Sequence, residues 1–199
     1  MLCDKNGFMR ITGGQWGRRL LKVPKTDIRP TQDRVREAVF ATLGPYVVGC
    51  RFLDLFAGSG AVGLEAASRG ACAVVMVEEG RHAHAVISAN MADLGTGSGV
   101  QVVSSDVFRY IAQAPAGGGF DYIYADPPYD RTGVQGWLHR LLAALRQSMV
   151  LTPAGLFIME QSSRESVVPL NGWTMVIERR YGETVVRYFR RTDHDKGES

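Results

Sequence analysis

From residue 51 onward the chain alternates short apolar runs with stretches of helical periodicity, and that alternation limits the possible folds more than any other feature. Strands are expected over 51–55, 73–77, 100–104, 120–125 and 155–160, with helices over 60–68, 80–93, 106–113 and 135–148 between them. Two further runs, 173–179 and 184–190, flank Tyr181-Gly182-Glu183, which is a hairpin signal. Strands buried on both faces of a parallel sheet need no polar alternation, so continuous runs such as Ala73-Val74-Val75-Met76-Val77 fit that setting. Strict βα order closed by a hairpin points to an α/β fold with a doubly wound, mostly parallel, seven-stranded Rossmann-like sheet whose last strands run antiparallel. Ligands of such sheets bind beyond the C-terminal ends of the strands.

The first strand runs into Phe56-Ala57-Gly58-Ser59-Gly60, with Gly63 in the helix that follows. Gly58, Gly60 and Gly63 satisfy GxGxxG, a weak signal shared with nicotinamide and flavin enzymes. Asp54 sharpens it, because a carboxylate inside the strand end repels a pyrophosphate and attracts an ammonium group. The turn therefore suits a cofactor that bears an amino acid, and S-adenosylmethionine fits. Glu78 ends the second strand, where a carboxylate can accept both ribose hydroxyls. Asp106 ends the third strand and can accept an adenine amine, with Val107 against the ring. Asp106 also suits a helix N-cap, and one side chain can do both.

The strand over 120–125 stops at Asp126-Pro127-Pro128-Tyr129. Two prolines fix the backbone and forbid a helix there. An exocyclic amine on a nucleobase is a poor nucleophile, since its lone pair is delocalised into the ring. The Asp126 carboxylate and the Pro127 carbonyl can each take one N–H and favour the positive charge that grows as nitrogen attacks carbon. Tyr129 can lie on the face of the base, where stacking is worth about 1–3 kcal/mol. A simple strand-capping turn is the structural alternative.

Charge is unevenly spread. Residues 1–36 hold nine Lys/Arg against three Asp/Glu, while the whole chain carries only +3. A basic arm on a mildly acidic body suits a phosphate backbone. Within the arm, two short strands surround Gly13-Gly14-Gln15-Trp16-Gly17-Arg18. Arg10, Trp16, Arg18, Arg19 and Lys22 are candidates for RNA contact. A helix follows with Val35, Ala38, Val39 and Leu43 at helical spacing, and Arg34 and Arg36 are expected on its far side, facing phosphate or water. Residues 1–50 form this extension, 51–191 the catalytic domain, and 192–199 a disordered tail. Cys3, Cys50 and Cys72 are odd in number, far apart and outside any CxxC pair. That pattern fits a reducing, cytoplasmic setting without a metal site. No apolar run has the length of a membrane span, and a monomer is the default expectation.

With these motifs in place, the chain resembles class I S-adenosylmethionine-dependent methyltransferases with a DPPY-type motif, and more narrowly the RsmD family. The likeness runs through Met9-Arg10-Ile11-Thr12-Gly13-Gly14, Arg29-Pro30-Thr31, Arg34-Val35-Arg36-Glu37-Ala38, Leu53-Asp54-Leu55-Phe56-Ala57-Gly58-Ser59-Gly60, Gly63-Leu64-Glu65-Ala66, Asp126-Pro127-Pro128-Tyr129 and Tyr181-Gly182-Glu183-Thr184. The resemblance implies methylation of a guanine N2 amine in 16S ribosomal RNA within an assembling small subunit. It also implies that Arg29 and Thr31 pack over the cofactor as a lid. Family members often carry Phe where this chain has Tyr129, and Tyr is usual in adenine-N6 enzymes, so adenine N6 in RNA or DNA is the alternative target. A non-catalytic RNA-binding module is the alternative of another class.

Overall fold

The computed structural model describes residues 8–24, 33–114, 119–128, 136–165 and 171–192. They fall into two compact units, Met1–Val107 and Phe108–Ser199.

In the first unit, β1 (Phe8–Arg10) and β2 (Leu20–Lys22) pair antiparallel with Met9 opposite Leu21. This is the expected hairpin, and its apolar side is buried at Met9, Ile11 and Leu21. Helix α1 (Asp33–Leu43) buries Val35, Val39, Phe40 and Leu43, and Gly44-Pro45 then turns the chain into a short 3-10 segment, Gly44–Val47. Strands β3 (Arg51–Leu55), β4 (Ala73–Glu78) and β5 (Val100–Ser104) lie parallel in the order β5-β4-β3. Their connections are α2 (Ala61–Ser68) and α3 (Arg81–Leu94). Phe52, Leu53, Leu55, Val74, Met76 and Val77 are all buried, as continuous apolar runs require when both sheet faces are covered.

Helix α4 (Val107–Gln113) leads into the second unit. There the strand order is β6-β7-β9-β8, formed by β6 (Phe120–Ala125), β7 (Leu151–Ser162), β8 (Trp173–Tyr181) and β9 (Thr184–Arg191). The β6–β7 pair is parallel, whereas β7–β9 and β8–β9 are antiparallel. Helix α5 (Trp137–Arg146) buries Leu138, Leu141, Leu142 and Leu145, an apolar stripe at helical spacing. Strand β7 begins earlier than its sequence suggests. Phe120 faces Leu151 but Tyr122 faces Leu156, so the ladder bulges around Thr152-Pro153-Ala154-Gly155. A bulge tolerates a proline that donates no ladder hydrogen bond.

Together the units hold the seven strands, mostly parallel with an antiparallel close, of the expected α/β class. Among the described residues no helix is long and apolar enough to cross a membrane, and no cluster of His, Cys, Asp or Glu could hold a metal ion.

Candidate active site

The first unit carries a cradle at the C-terminal ends of β3 and β4. After Leu55 the backbone turns sharply: Phe56 has φ 60, Gly58 φ 57 and Gly60 φ 76. Phe56 occupies the left-handed region without being glycine, a conformation that L-residues adopt at a cost. The turn is held by Ala57 N–H donating to Val77 O at 3.0 Å and Gly60 N–H donating to Ala57 O at 2.7 Å. Helix α2 then crosses very near β4. A Cβ on Gly63 would stand 2.5 Å from Met76 Cγ, so only glycine permits that approach. The motif's third glycine is a packing device, as in other nucleoside-binding turns.

Two carboxylates bind this loop together. Asp54 is 2% exposed, and its Oδ2 accepts the Gly63 N–H at 2.9 Å. Burial pushes its carboxyl up to about 7, the Gly63 N–H works against that rise, and the negative Glu78 adds to it. Glu78 accepts Gly58 N–H on Oε2 at 2.8 Å and Gly80 N–H on Oε1 at 2.7 Å. Each oxygen of Glu78 keeps a second lone pair for a ligand hydroxyl. Its neighbour Glu79 is exposed, so the strand end presents Glu78 and not Glu79 to the loop. Ala57, Gly58, Ser59 and Gly60 are buried in the turn, and the Ser59 hydroxyl reaches Met9 Sδ at 3.5 Å. Asp106 directly precedes α4 and is half-buried, while Val107 is buried.

A concave backbone turn, a buried acid whose charged form is costly and a second acid with spare lone pairs have a clear joint use. They can hold a ribose and an adjacent cationic group, and they disfavour a pyrophosphate. The residues present therefore fit an amino-acid-bearing nucleoside.

In the second unit, β6 buries Ile123, Tyr124 and Ala125 and releases the chain at Asp126, which is half-buried like Pro127. The Tyr124 hydroxyl donates to Glu160 Oε2 on β7 at 2.6 Å. Arg29, Thr31 and Tyr129 lie outside the described residues.

The candidates for RNA contact separate into two groups. Arg10, Arg18, Arg19, Lys22 and Arg34 are exposed and Trp16 is half-buried. Arg19 donates to Asp93 O at 2.8 Å, and Lys22 Nζ stands 2.8 Å from Asp93 Oδ2. Arg36 corrects the expectation that it faces phosphate or water, because its side chain is fully buried. Its Nε donates to Glu65 Oε2 at 3.3 Å, and its Nη2 donates to Asp33 Oδ1 at 2.9 Å and to Arg10 O. The physical reason is the hairpin, which covers the side of α1 that sequence periodicity left open. Arg36, Phe40 and Leu43 recur at i, i+4 and i+7, which was the available signal.

Sequence reasoning missed two anchors altogether. Glu65 is fully buried and accepts Thr12 N–H, Thr12 Oγ1–H and Arg69 Nε–H, each at 2.7 Å, besides Arg36. Asn90 accepts Lys22 N–H at 2.9 Å and donates to Lys22 O at 3.0 Å and Ser59 O at 3.2 Å. An acid within the otherwise apolar helix Ala61-Val62-Gly63-Leu64-Glu65-Ala66-Ala67 was the one hint for Glu65. Asn90 left no local trace.

Residues 9–190 match the family described as Conserved hypothetical protein 95. The chain is similar to Ribosomal RNA small subunit methyltransferase D of Escherichia coli strain K12, 36% identical over 189 residues that cover 94% of this chain and 91% of that one. A solved hypothetical protein of Thermus thermophilus matches with TM-score 0.78 at 33% identity, covering 92% of this chain and 99% of the other. A solved protein described as a methyltransferase complexed with SAH shares the fold with TM-score 0.66, at 21% identity over 81% of this chain and 50% of the other.

Proposed function

The chain belongs to the Conserved hypothetical protein 95 family, and on that premise we propose that it transfers a methyl group from S-adenosylmethionine to the N2 amine of a guanine in 16S ribosomal RNA. Ribosomal RNA of the small subunit is the substrate in the name of its Escherichia coli relative. The observation that carries the methyl-donor reading is Asp54, a buried carboxyl pushed up to about 7 beside the glycine turn. Such a group gains most from a cationic partner and loses most from an anionic one.

When bound, S-adenosylmethionine supplies a methyl group on a sulfonium, which is an electrophilic carbon. Asp54 would hold the ammonium of its amino acid, and that partner would draw the Asp54 carboxyl into its charged form. Glu78 would accept the ribose hydroxyls while its hydrogen bonds to Gly58 and Gly80 keep the loop in shape. Asp106 would accept the adenine amine and Val107 would meet the ring, and Arg29 and Thr31 are assigned to the cofactor as its lid. On the acceptor side, Asp126 and the Pro127 carbonyl take the two N–H bonds of the target amine and stabilise positive charge on its nitrogen during attack. Tyr129 stacks on the base, which leaves its helix to reach the pocket. Catalysis here is positioning and electrostatics, without a covalent enzyme intermediate.

The exposed residues Arg10, Arg18, Arg19, Lys22 and Arg34, with the half-buried Trp16, form the RNA-facing surface of the extension, and the target is presented within a small subunit under assembly. Arg36 is not part of that surface.

Labelled S-adenosylmethionine, incubated in turn with naked 16S RNA, immature and complete small subunits and duplex DNA, tests the reading. Nucleoside analysis is expected to return N2-methylguanosine from subunit RNA. N6-methyladenine would transfer the assignment to the adenine alternative, and binding without turnover on every substrate would leave only an RNA-binding module.

A further inference from the structure

Glu160 is an acid beside the acceptor motif that the mechanism above leaves unused. Strands β6 and β7 run parallel with Tyr124 opposite Ile158 and Ala125 opposite Met159. One step further along that register, Glu160 comes alongside Asp126 where β6 ends. Opposite residues of a parallel ladder share a face, and so do alternate residues of one strand. Tyr124, Asp126 and Glu160 therefore belong to the same face. The 2.6 Å hydrogen bond from the Tyr124 hydroxyl to Glu160 Oε2 agrees with that placement and fixes the carboxyl.

This position is costly for an acid. Burial raises the Glu160 carboxyl, and the Tyr124 hydroxyl only partly opposes the rise. Glu160 enters no ion pair among the described residues. Its Oε1 accepts no hydrogen bond among them either. A ligand edge that brings an N–H donor would offset the desolvation.

We propose that Glu160 selects the base, its carboxylate accepting the N1–H of the guanine whose N2 amine Asp126 and Pro127 hold. The assignment rests on the guanine-N2 reading and adds the source of its specificity. Guanine carries an N1–H next to its exocyclic amine, whereas adenine carries a bare N1 lone pair next to its own. The N1–H of guanine stabilises Glu160 in its ionised form, and in that form the carboxylate accepts from the first and repels the second. Asp126 and Pro127 would serve any amine; Glu160 makes the same strand end specific for one purine. Tyr124 acts as a positioning residue by holding Oε2.

The test uses small-subunit RNA with either guanine or 2-aminopurine at the methylated position, since 2-aminopurine keeps the amine but has a lone pair at N1. Wild-type protein is expected to favour guanine by about 10- to 100-fold in kcat/KM. Glu160→Gln, whose amide can donate as well as accept, is expected to narrow that ratio about tenfold or more while cofactor affinity and melting temperature stay unchanged. Tyr124→Phe falls between the two. An unchanged ratio in Glu160→Gln overturns the proposal. So does a loss of cofactor affinity as large as the loss of kcat/KM, which would mark a purely structural role. Failure of the underlying reading looks different: wild-type protein would then form no N2-methylguanosine even on guanine RNA, and this assignment would fall with it.

Discussion

Asp54 puts the account at its sharpest on the scale of single residues. Its ordinary value of 3.8 is pushed up to about 7 by burial. Folding therefore takes up a proton between those values. The contribution to stability is full below about pH 4, falls by on the order of 4 kcal/mol as the pH climbs to about 7, and is flat above. Melting curves of the cofactor-free protein across pH 4 to 8 are expected to show this slope, and Asp54→Asn is expected to remove it while abolishing cofactor binding. Parallel curves for the two proteins would contradict the assignment. A bound ammonium reverses the shift, so cofactor binding releases a proton near neutrality and tightens as the pH rises through about 7. Both effects have one cause: a carboxylate kept out of water with a single backbone N–H for company.

At the scale of elements, the extension is fastened to the cofactor cradle by polar side chains buried between them. Glu65 on α2 joins Thr12 after β1, Arg36 on α1 and its own neighbour Arg69. Asn90 on α3 joins Lys22 on β2 and Ser59 in the glycine turn. Breaking a buried ion pair on one side leaves an uncompensated charge, so Glu65→Gln is expected to lose about 3–5 kcal/mol in urea unfolding. A loss below about 1 kcal/mol would mean that apolar contacts at Met9, Ile11 and Leu21 hold the hairpin by themselves. These anchors also mark the limit of what could be read from the sequence. The β3 turn and the strand ends at Glu78 and Asp126 were legible, because a glycine pattern, an apolar run and a proline pair act over a few neighbouring residues. Arg36 was misjudged because its burial depends on a hairpin that arrives from elsewhere in the chain. The early start of β7 was hidden because Pro153 and Gly155 look like a turn until the bulge that accommodates them is known.

On the scale of the whole molecule, the proposed chemistry divides by residue. Asp54, Glu78 and the glycine turn serve the donor, and Asp126, Pro127 and Glu160 serve the acceptor. The basic residues concentrate in the extension of the first unit, where long-range attraction can gather RNA without taking part in bond making. This division of labour separates binding from transfer. Asp54 variants should fail to bind the cofactor, whereas Asp126 variants should bind it normally and fail to transfer its methyl group. The most direct measurement is single-turnover methyl transfer to small-subunit RNA by wild-type and Asp126→Ala proteins, with cofactor affinity measured on the same preparations. Transfer is expected to fall by about 100-fold or more while cofactor affinity stays within about twofold. Transfer at the full rate by Asp126→Ala would contradict the account.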